Sequence, residues 1–275
     1  GSRKNFEKTM DQVEKELGRE SGPWFIAGEM PSVVDLQYVS HVERMAASVL
    51  YWKGLRIRGG EASDRWPNVE RWFDAFEQRP SYWASKSDFY THVRDIPPQY
   101  GPGHQDDTPE ALEAKSHISG EGGAWQLPID IGSSALEPVS PHMDPGEEGA
   151  RHEAALKLAG NHAAVARFAC RGAGEQGRKR FQAPLADPYA SPNESLQPDV
   201  EKLLQAVVFA MLQGADASST VSTKVAADIK GRHGKEAARC LMYLRERVGV
   251  PRDMSYPAAM QFRGHLNHFI NLLSA

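Results

Sequence analysis

Helical periodicity is the feature of this sequence that most restricts its fold. Near the N-terminus, apolar side chains recur at steps of three and four residues, with Glu and Lys between them: Phe6, Met10, Val13 and Leu17. This spacing gives an amphipathic helix one apolar face. Similar periods recur towards the end of the chain, and we find no alternating apolar and polar pattern that would predict a strand. The sequence therefore predicts an all-α fold.

A second helix is predicted to begin at Ser32, directly after a proline. The Ser32 hydroxyl can accept a hydrogen bond from the backbone N–H of Asp35, and the Asp35 carboxylate can accept one from the N–H of Ser32. This reciprocal arrangement is a capping box, so we assign Ser32 and Asp35 as structural helix-cap residues. The inward face predicted for this helix consists of Leu36, Val39, Val42, Met45, Ala46 and Val49.

A third helix is predicted between Pro67 and Pro80, because proline is tolerated in the first turn of a helix but interrupts its interior. Its apolar residues also follow the helical period: Val69, Trp72, Phe73 and Phe76.

Three segments of this region, residues 24–28, 32–35 and 66–82, resemble in order and spacing the C-terminal helical domain of the glutathione transferase family. In that family the first is the loop before a buried helix, the second is the capped start of that helix, and the third is the following helix. Together the segments cover roughly residues 4–90. The resemblance implies an all-helical domain in which Ser32 and Asp35 serve folding and not catalysis.

The same resemblance identifies what this sequence does not contain. The family's N-terminal thioredoxin-like domain supplies the glutathione pocket and the Tyr, Ser or Cys that activates the thiol. No segment here corresponds to that domain, so we expect glutathione as a cofactor only if such a domain lies upstream. Non-catalytic members of the family use the helical domain to hold protein partners.

Charge is distributed unevenly along the chain. Residues 1–100 contain 14 Lys and Arg against 15 Asp and Glu, residues 101–150 contain 1 against 10, and residues 151–275 contain 17 against 11. The acidic stretch is also rich in Pro and Gly, which is typical of a connecting segment. We therefore predict three parts: a glutathione-transferase-like helical domain at 1–98, an acidic linker at 99–146 and a basic helical domain at 147–275. Within the linker, Trp125 and Ile129 are expected to anchor on a folded neighbour.

Four helices are predicted in the basic part, near residues 147–171, 200–212, 221–248 and 257–273. The third is expected to be interrupted at the run Gly231-Arg232-His233-Gly234-Lys235. This run resembles an anion-holding turn before a helix, which makes Arg232, His233 and Lys235 candidates for contact with a ligand or a partner. It lacks the spacing of a Walker loop. A helix break with solvated charges is the interpretation that we favour.

Aromatic residues near the end of the second helix supply another candidate contact. Tyr51 and Trp52 are the best placed of these for a ligand or a partner. However, aromatic residues at helical spacing belong to the core more often than to a pocket, because pockets are few in any protein.

His265 and His268 lie three residues apart in the last predicted helix, without a carboxylate or thiol at ligand spacing. We therefore predict no metal site. Cys170 and Cys240, the only cysteines, form neither a disulfide framework nor a metal motif, which indicates a reducing intracellular setting. We expect both to be small core residues.

The basic part also contains the run Arg178-Lys179-Arg180. Its net charge is modest and no aromatic stacking pattern accompanies it, which argues against nucleic acid as a partner. An acidic protein, or the chain's own linker, would match this charge equally well. No apolar run is long enough to span a membrane. Because the chain begins Gly1-Ser2 without a methionine, the N-terminus looks incomplete, and the sequence does not distinguish the cytosol from an organelle.

Two functions are compatible with these observations. We identify no catalytic, cofactor-binding or metal-binding residues in the chain. The first function, which we favour, is a non-catalytic protein-interaction or assembly module with one or more protein partners, as a subunit of a larger complex. The alternative is the C-terminal portion of an active glutathione transferase whose thioredoxin-like domain lies upstream.

Overall fold

The computed structural model of the protein describes residues 2–101, 103–131, 136–139, 144–177, 185, 187 and 189–274. Regular structure within these ranges is helical, and the all-α prediction is confirmed. The only pairing of extended backbone found there is an isolated antiparallel bridge between Glu175 and Ser191. The run Arg178-Lys179-Arg180 lies outside the described residues. The first seven helices are α1 (Ser2–Leu17), α2 (Val33–Lys53), α3 (Glu61–Arg65), α4 (Pro67–Glu77), α5 (Pro80–Ser85), α6 (Phe89–Tyr100) and α7 (Pro109–Ile118).

Five further helices follow in the basic part, together with two short 3₁₀ turns at Cys170–Ala173 and Glu194–Leu196. The single helix predicted near residues 147–171 is divided at Asn161, whose φ and ψ of −136° and 27° are not helical. The long helix has a kink at His233, with φ and ψ of −140° and 29°, where the glycine-flanked run predicted an interruption. The helices are α8 (Gly146–Gly160), α9 (His162–Ala169), α10 (Gln197–Gln213), α11 (Ala215–Arg245) and α12 (Tyr256–Ser274).

The first hydrophobic core forms around α2, which packs against α6 and α7, while α1 packs against α4. The aromatic side chains of α4 fill this core because its apolar positions follow the helical period. Burying such large rings contributes much of the stability of a domain of this kind. The aromatic residues buried there include Trp24, Trp66, Trp72, Phe73, Phe76, Phe89 and Tyr90.

The described residues of the acidic linker (99–146), which we call the connector from here on, pack against this first core. The connector contains the helix α7, which its Pro- and Gly-rich composition did not predict, and α7 lies against α2. Gly54, which ends α2 with a φ of 64°, lies so close to α7 that a Cβ atom there would be 2.7 Å from Ala111 N. Trp125 and Ile129 are both buried in the first core, where we expected the connector to anchor.

A second hydrophobic core joins α8, α10, α11 and α12. Both cysteines, Cys170 and Cys240, are buried within it as free thiols. The two cores adjoin, since Met260 of α12 belongs to the first core. Side chains of α6 also bond to the C-terminal half: Tyr90 Oη donates to the carbonyl oxygen of Glu246 at 3.1 Å, and Thr91 Oγ1 accepts from Val250 N at 3.1 Å.

None of the described helices combines the length and the apolar character needed to cross a bilayer.

Candidate functional site

One buried carboxylate fixes the start of α2. Asp35 has no exposed surface, and its two oxygens accept hydrogen bonds from Ser32 N at 2.8 Å, Ser32 Oγ at 2.5 Å, Phe25 N at 3.0 Å and Trp72 Nε1 at 2.9 Å. Asp35 N donates in return to Ser32 Oγ at 3.5 Å, which completes the capping box. Burial alone would raise the pKa of Asp35, but these hydrogen bonds lower that pKa below its ordinary value.

The inward position of Asp35 determines which side of α2 faces water. Buried residues of the helix recur from Asp35 through Val39 and Val42. Leu36 follows Asp35 by one residue, a rotation of about 100° around the helix axis. It is therefore 57% exposed, and the prediction that placed Leu36 on the inward face is wrong.

The outward side of this helix start is a cluster of large apolar residues. Such residues are common singly on protein surfaces, whereas several of them together often mark an interaction site, and five lie here within residues 26–36. Their exposed fractions range from 44% for Val34 to 70% for Val33. We define the α2 patch as Ile26, Met30, Val33, Val34 and Leu36.

Buried aromatic residues hold the backbone of the α2 patch in place. Trp24 makes an edge-to-face contact with Phe76 at 5.0 Å between ring centroids, and Phe25 makes one with Trp72 at 6.0 Å. The loop before α2 is thus held at the two residues that precede Ile26. A patch on a fixed backbone loses little conformational entropy when it binds, so the arrangement suits docking of another apolar surface.

Tyr51 and Trp52, the aromatic candidates near the end of α2, lie under the connector. Tyr51 is buried, and its hydroxyl is 3.2 Å from Ser119 Oγ. Trp52 is half-buried, and Gly103 lies so close that a Cβ atom would be 2.8 Å from its ring. The connector therefore covers both rings in the structure.

The other candidate run is at the kink of α11. Arg232, His233 and Lys235 are exposed there. Arg232 forms ion pairs with Asp199 at 3.0 Å and Asp228 at 3.3 Å. Since these acidic side chains already match its charge, the arrangement is that of a solvated helix break.

The two histidines of α12 are separated by their surroundings. His265 is buried, its Nδ1 is 2.8 Å from the carbonyl oxygen of Gln261, and burial lowers its pKa to about 4. Burial also lowers the pKa of His268, which is half-buried. In the described ranges, no three His, Cys, Asp or Glu side chains converge as a metal site would require.

A buried ion pair joins the two halves of the chain, and sequence reasoning missed it. Arg263 Nη1 lies 2.6 Å from Asp88 Oδ2, and both side chains are fully buried. The Arg263 guanidinium also faces the rings of Tyr90 at 4.6 Å and Trp125 at 5.2 Å. Burial alone would raise the pKa of Asp88, but Arg263 lowers it below its ordinary value. The partners are too far apart in sequence for any local motif to indicate them.

Comparison with known families gives one match. The family model described as the glutathione S-transferase C-terminal domain matches residues 1–75, which include α1, α2 and most of α4. The resemblance read from residues 24–28, 32–35 and 66–82 is thereby confirmed over this range. A search of curated proteins found no match.

Proposed function

Starting from a helical domain of the glutathione transferase C-terminal type at residues 1–75, we propose that the protein is a non-catalytic interaction module that docks another protein on the α2 patch. The observation that carries this proposal is the patch itself, whose five large apolar side chains are each at least 44% exposed beside the fully buried Asp35. Water disfavours such a surface, so an apolar partner would stabilise it.

Few charged residues interrupt this surface. Between Ile26 and Leu36, the only ionisable side chains are Glu29 and Asp35, and Asp35 is turned inward. From outside this segment, Arg79 reaches the edge of the patch, with its Nη2 3.3 Å from Met30 Sδ. Interfaces commonly combine an apolar centre, depleted of charge, with a polar rim. The α2 patch therefore favours a folded protein with an apolar surface over a charged ligand.

Site-directed photo-crosslinking in cells that naturally contain the protein tests this docking. A photoreactive phenylalanine analogue is placed at Val33 or Leu36, and the matched control carries it at Val221 of α11, which is also exposed. We expect both patch positions to yield the same protein adduct, and the Val221 position not to yield it. Equal labelling from all three positions, or none from the patch, would contradict the proposal. An adduct with a second copy of this chain would show that the patch mediates self-association, and would contradict docking of a different protein.

Calorimetry with glutathione tests whether this chain carries glutathione chemistry by itself. We expect the purified chain to give no heat of binding and no conjugate with an electrophile. A micromolar dissociation constant would place glutathione chemistry within this chain and would overturn the proposal.

A further inference from the structure

A groove with two adjoining open cavities, of about 470 and 540 Å³, lies between α6, α9 and the C-terminal end of α11. Cavities of this size match small organic ligands. The two cavities share Phe168, Arg247, Val248 and Arg252, so they form one continuous groove. We call it the arginine groove.

The ends of the arginine groove differ in character. The end near α9 has an apolar wall formed by Leu158, Val165 and Phe262, and its lining also includes Lys157 and Asp253. The other end is lined by Arg94 and Arg171 in addition to the shared arginines. A ligand that lies along the groove would therefore meet an apolar surface at one end and guanidinium groups at the other.

Aromatic rings orient three of these guanidinium groups. Arg94 lies 5.2 Å from the ring centroid of Tyr90, and Arg171 lies 5.2 Å from that of Phe168. Arg247 lies 3.5 Å from that of Tyr243. Such contacts are favourable and limit the motion of the side chain, which preorganises its N–H groups for an anion.

Several N–H donors in the groove have no acceptor among the described residues. Arg94 Nε and Arg247 Nε are buried without a hydrogen-bond partner. An unpartnered buried donor costs free energy, which an anionic ligand would recover. Within the described ranges, no carboxylate lies within ion-pair distance of Arg94 or Arg171, although each offers five N–H groups. One donor of Arg94 is used, since its Nη2 donates to Ser119 Oγ at 3.4 Å.

Acidic side chains also line the groove, and most of them already have basic partners. Asp187 pairs with Arg247 at 2.9 Å, Glu246 with Arg245 at 3.2 Å, and Asp253 with Arg252 at 2.7 Å. Asp95 also lies there, and desolvation raises its pKa. Among the described residues of the groove, the basic groups without a carboxylate partner are therefore Lys157, at the apolar end, and Arg94 and Arg171, which lie together at the other end.

We propose that the arginine groove binds an amphipathic organic anion. Its phosphate or carboxylate head would lie between Arg94 and Arg171, and its apolar body would lie along Leu158, Val165 and Phe262. Guanidinium groups bind both kinds of head in the same bidentate manner. The proposal does not involve the α2 patch, so either proposal can fail without the other.

Calorimetry with four probes tests the proposal on the full chain, with the two amphipathic anions kept below their micelle-forming concentrations and decan-1-ol below its solubility limit. Decyl phosphate and decanoate carry both head and body, decan-1-ol carries the body alone, and inorganic phosphate carries the head alone. We expect decyl phosphate, decanoate or both to bind more tightly than decan-1-ol and inorganic phosphate. The relative affinities of decyl phosphate and decanoate identify the preferred head. Equal binding of decan-1-ol, or of inorganic phosphate, would overturn the proposal, as would no binding by either amphipathic anion.

Variants assign the binding to the groove. Arg171→Gln removes a charge that has no carboxylate partner in the described structure. It should weaken binding of the amphipathic anion about tenfold or more and leave the affinity for decan-1-ol unchanged. Ala164→Trp fills the apolar end of the groove and should weaken the binding of every probe that has an apolar body. Arg232→Gln, outside the groove, is the matched control. Equal affinities for Arg171→Gln and Arg232→Gln would overturn the assignment, and correct folding of each variant is checked by circular dichroism.

Discussion

Two regions of the molecule each bury a carboxylate at the start of a helix, but they stabilise it in different ways. At the start of α2, Asp35 accepts four hydrogen bonds from neutral donors, three of which belong to Phe25 and Ser32 nearby in sequence. Just before α6, Asp88 accepts a bond from Thr91 N at 3.0 Å and forms a salt bridge with Arg263 of α12. Each carboxylate has almost no exposed surface.

The two carboxylates differ in whether residues of the C-terminal half help to stabilise them. The donors to Asp35 all belong to residues 25–72, so no residue of the C-terminal half takes part in the cap of α2. Asp88, by contrast, would be an uncompensated buried charge without Arg263, which costs much more than an unmade neutral hydrogen bond. The cap beside the α2 patch is therefore built within residues 25–72, whereas the start of α6 depends on α12.

The largest effect is expected from breaking the ion pair. Arg263→Leu should destabilise the protein by about 3–5 kcal/mol, because it leaves the Asp88 charge buried without its partner. The midpoint of urea unfolding measures the loss. Arg167→Leu is the control, since its pair with Glu194 is well exposed and should contribute under about 1 kcal/mol. Similar losses in the two variants would show that the buried pair has no special role.

Removal of both charges sharpens this test. Asp88→Asn combined with Arg263→Met retains similar side-chain volumes and leaves no unpaired charge. We expect the double variant to be more stable than Arg263→Leu, since a buried pair that is removed together can be replaced at little cost. A double variant as unstable as the single one would mean that packing of Arg263, and not its charge, matters most.

A smaller loss is expected at the other carboxylate. Asp35→Ala should destabilise the protein by about 2–4 kcal/mol, because Trp72 Nε1 and Phe25 N lose a charged acceptor. Urea unfolding followed by tryptophan fluorescence measures this change. Asp64→Ala, at an exposed position of α3, is the matched control and should change stability by less than about 0.5 kcal/mol. A loss below that of Ser32→Ala would contradict the central place of Asp35.

The smallest effect is expected at the cap itself. Ser32→Ala removes one cap acceptor but leaves Asp35 with its other donors, so it should cost about 1 kcal/mol. The comparison is with Ser40→Ala, an exposed serine within α2. If the denaturant midpoint of Ser32→Ala equals that of the parent, the hydroxyl contributes nothing as a cap.

Whether a feature could be predicted from the sequence depends on how far apart in the chain its interacting residues lie. The capping box lies within residues 32–35, so its spacing indicated it, and the glycine-flanked run indicated the kink at His233. The inward turn of Asp35 depends on Trp72, a distant donor, and for this reason the exposure of Leu36 was predicted wrongly. The salt bridge of Arg263 and the arginine groove assemble residues from both halves of the chain, which no local pattern relates.

Docking on the α2 patch is tested most directly by measuring how tightly the protein binds the partner that crosslinking identifies. Val33→Glu/Leu36→Glu places charges in the patch, near a helix N-terminus where glutamate is well tolerated, so the fold should persist. Leu156→Glu/Val221→Glu is the control, with two exposed apolar residues from other helices. We predict that the patch variant binds at least about 100-fold more weakly and the control within about twofold of the parent. Equal affinity of the patch variant and the parent would contradict docking on this surface.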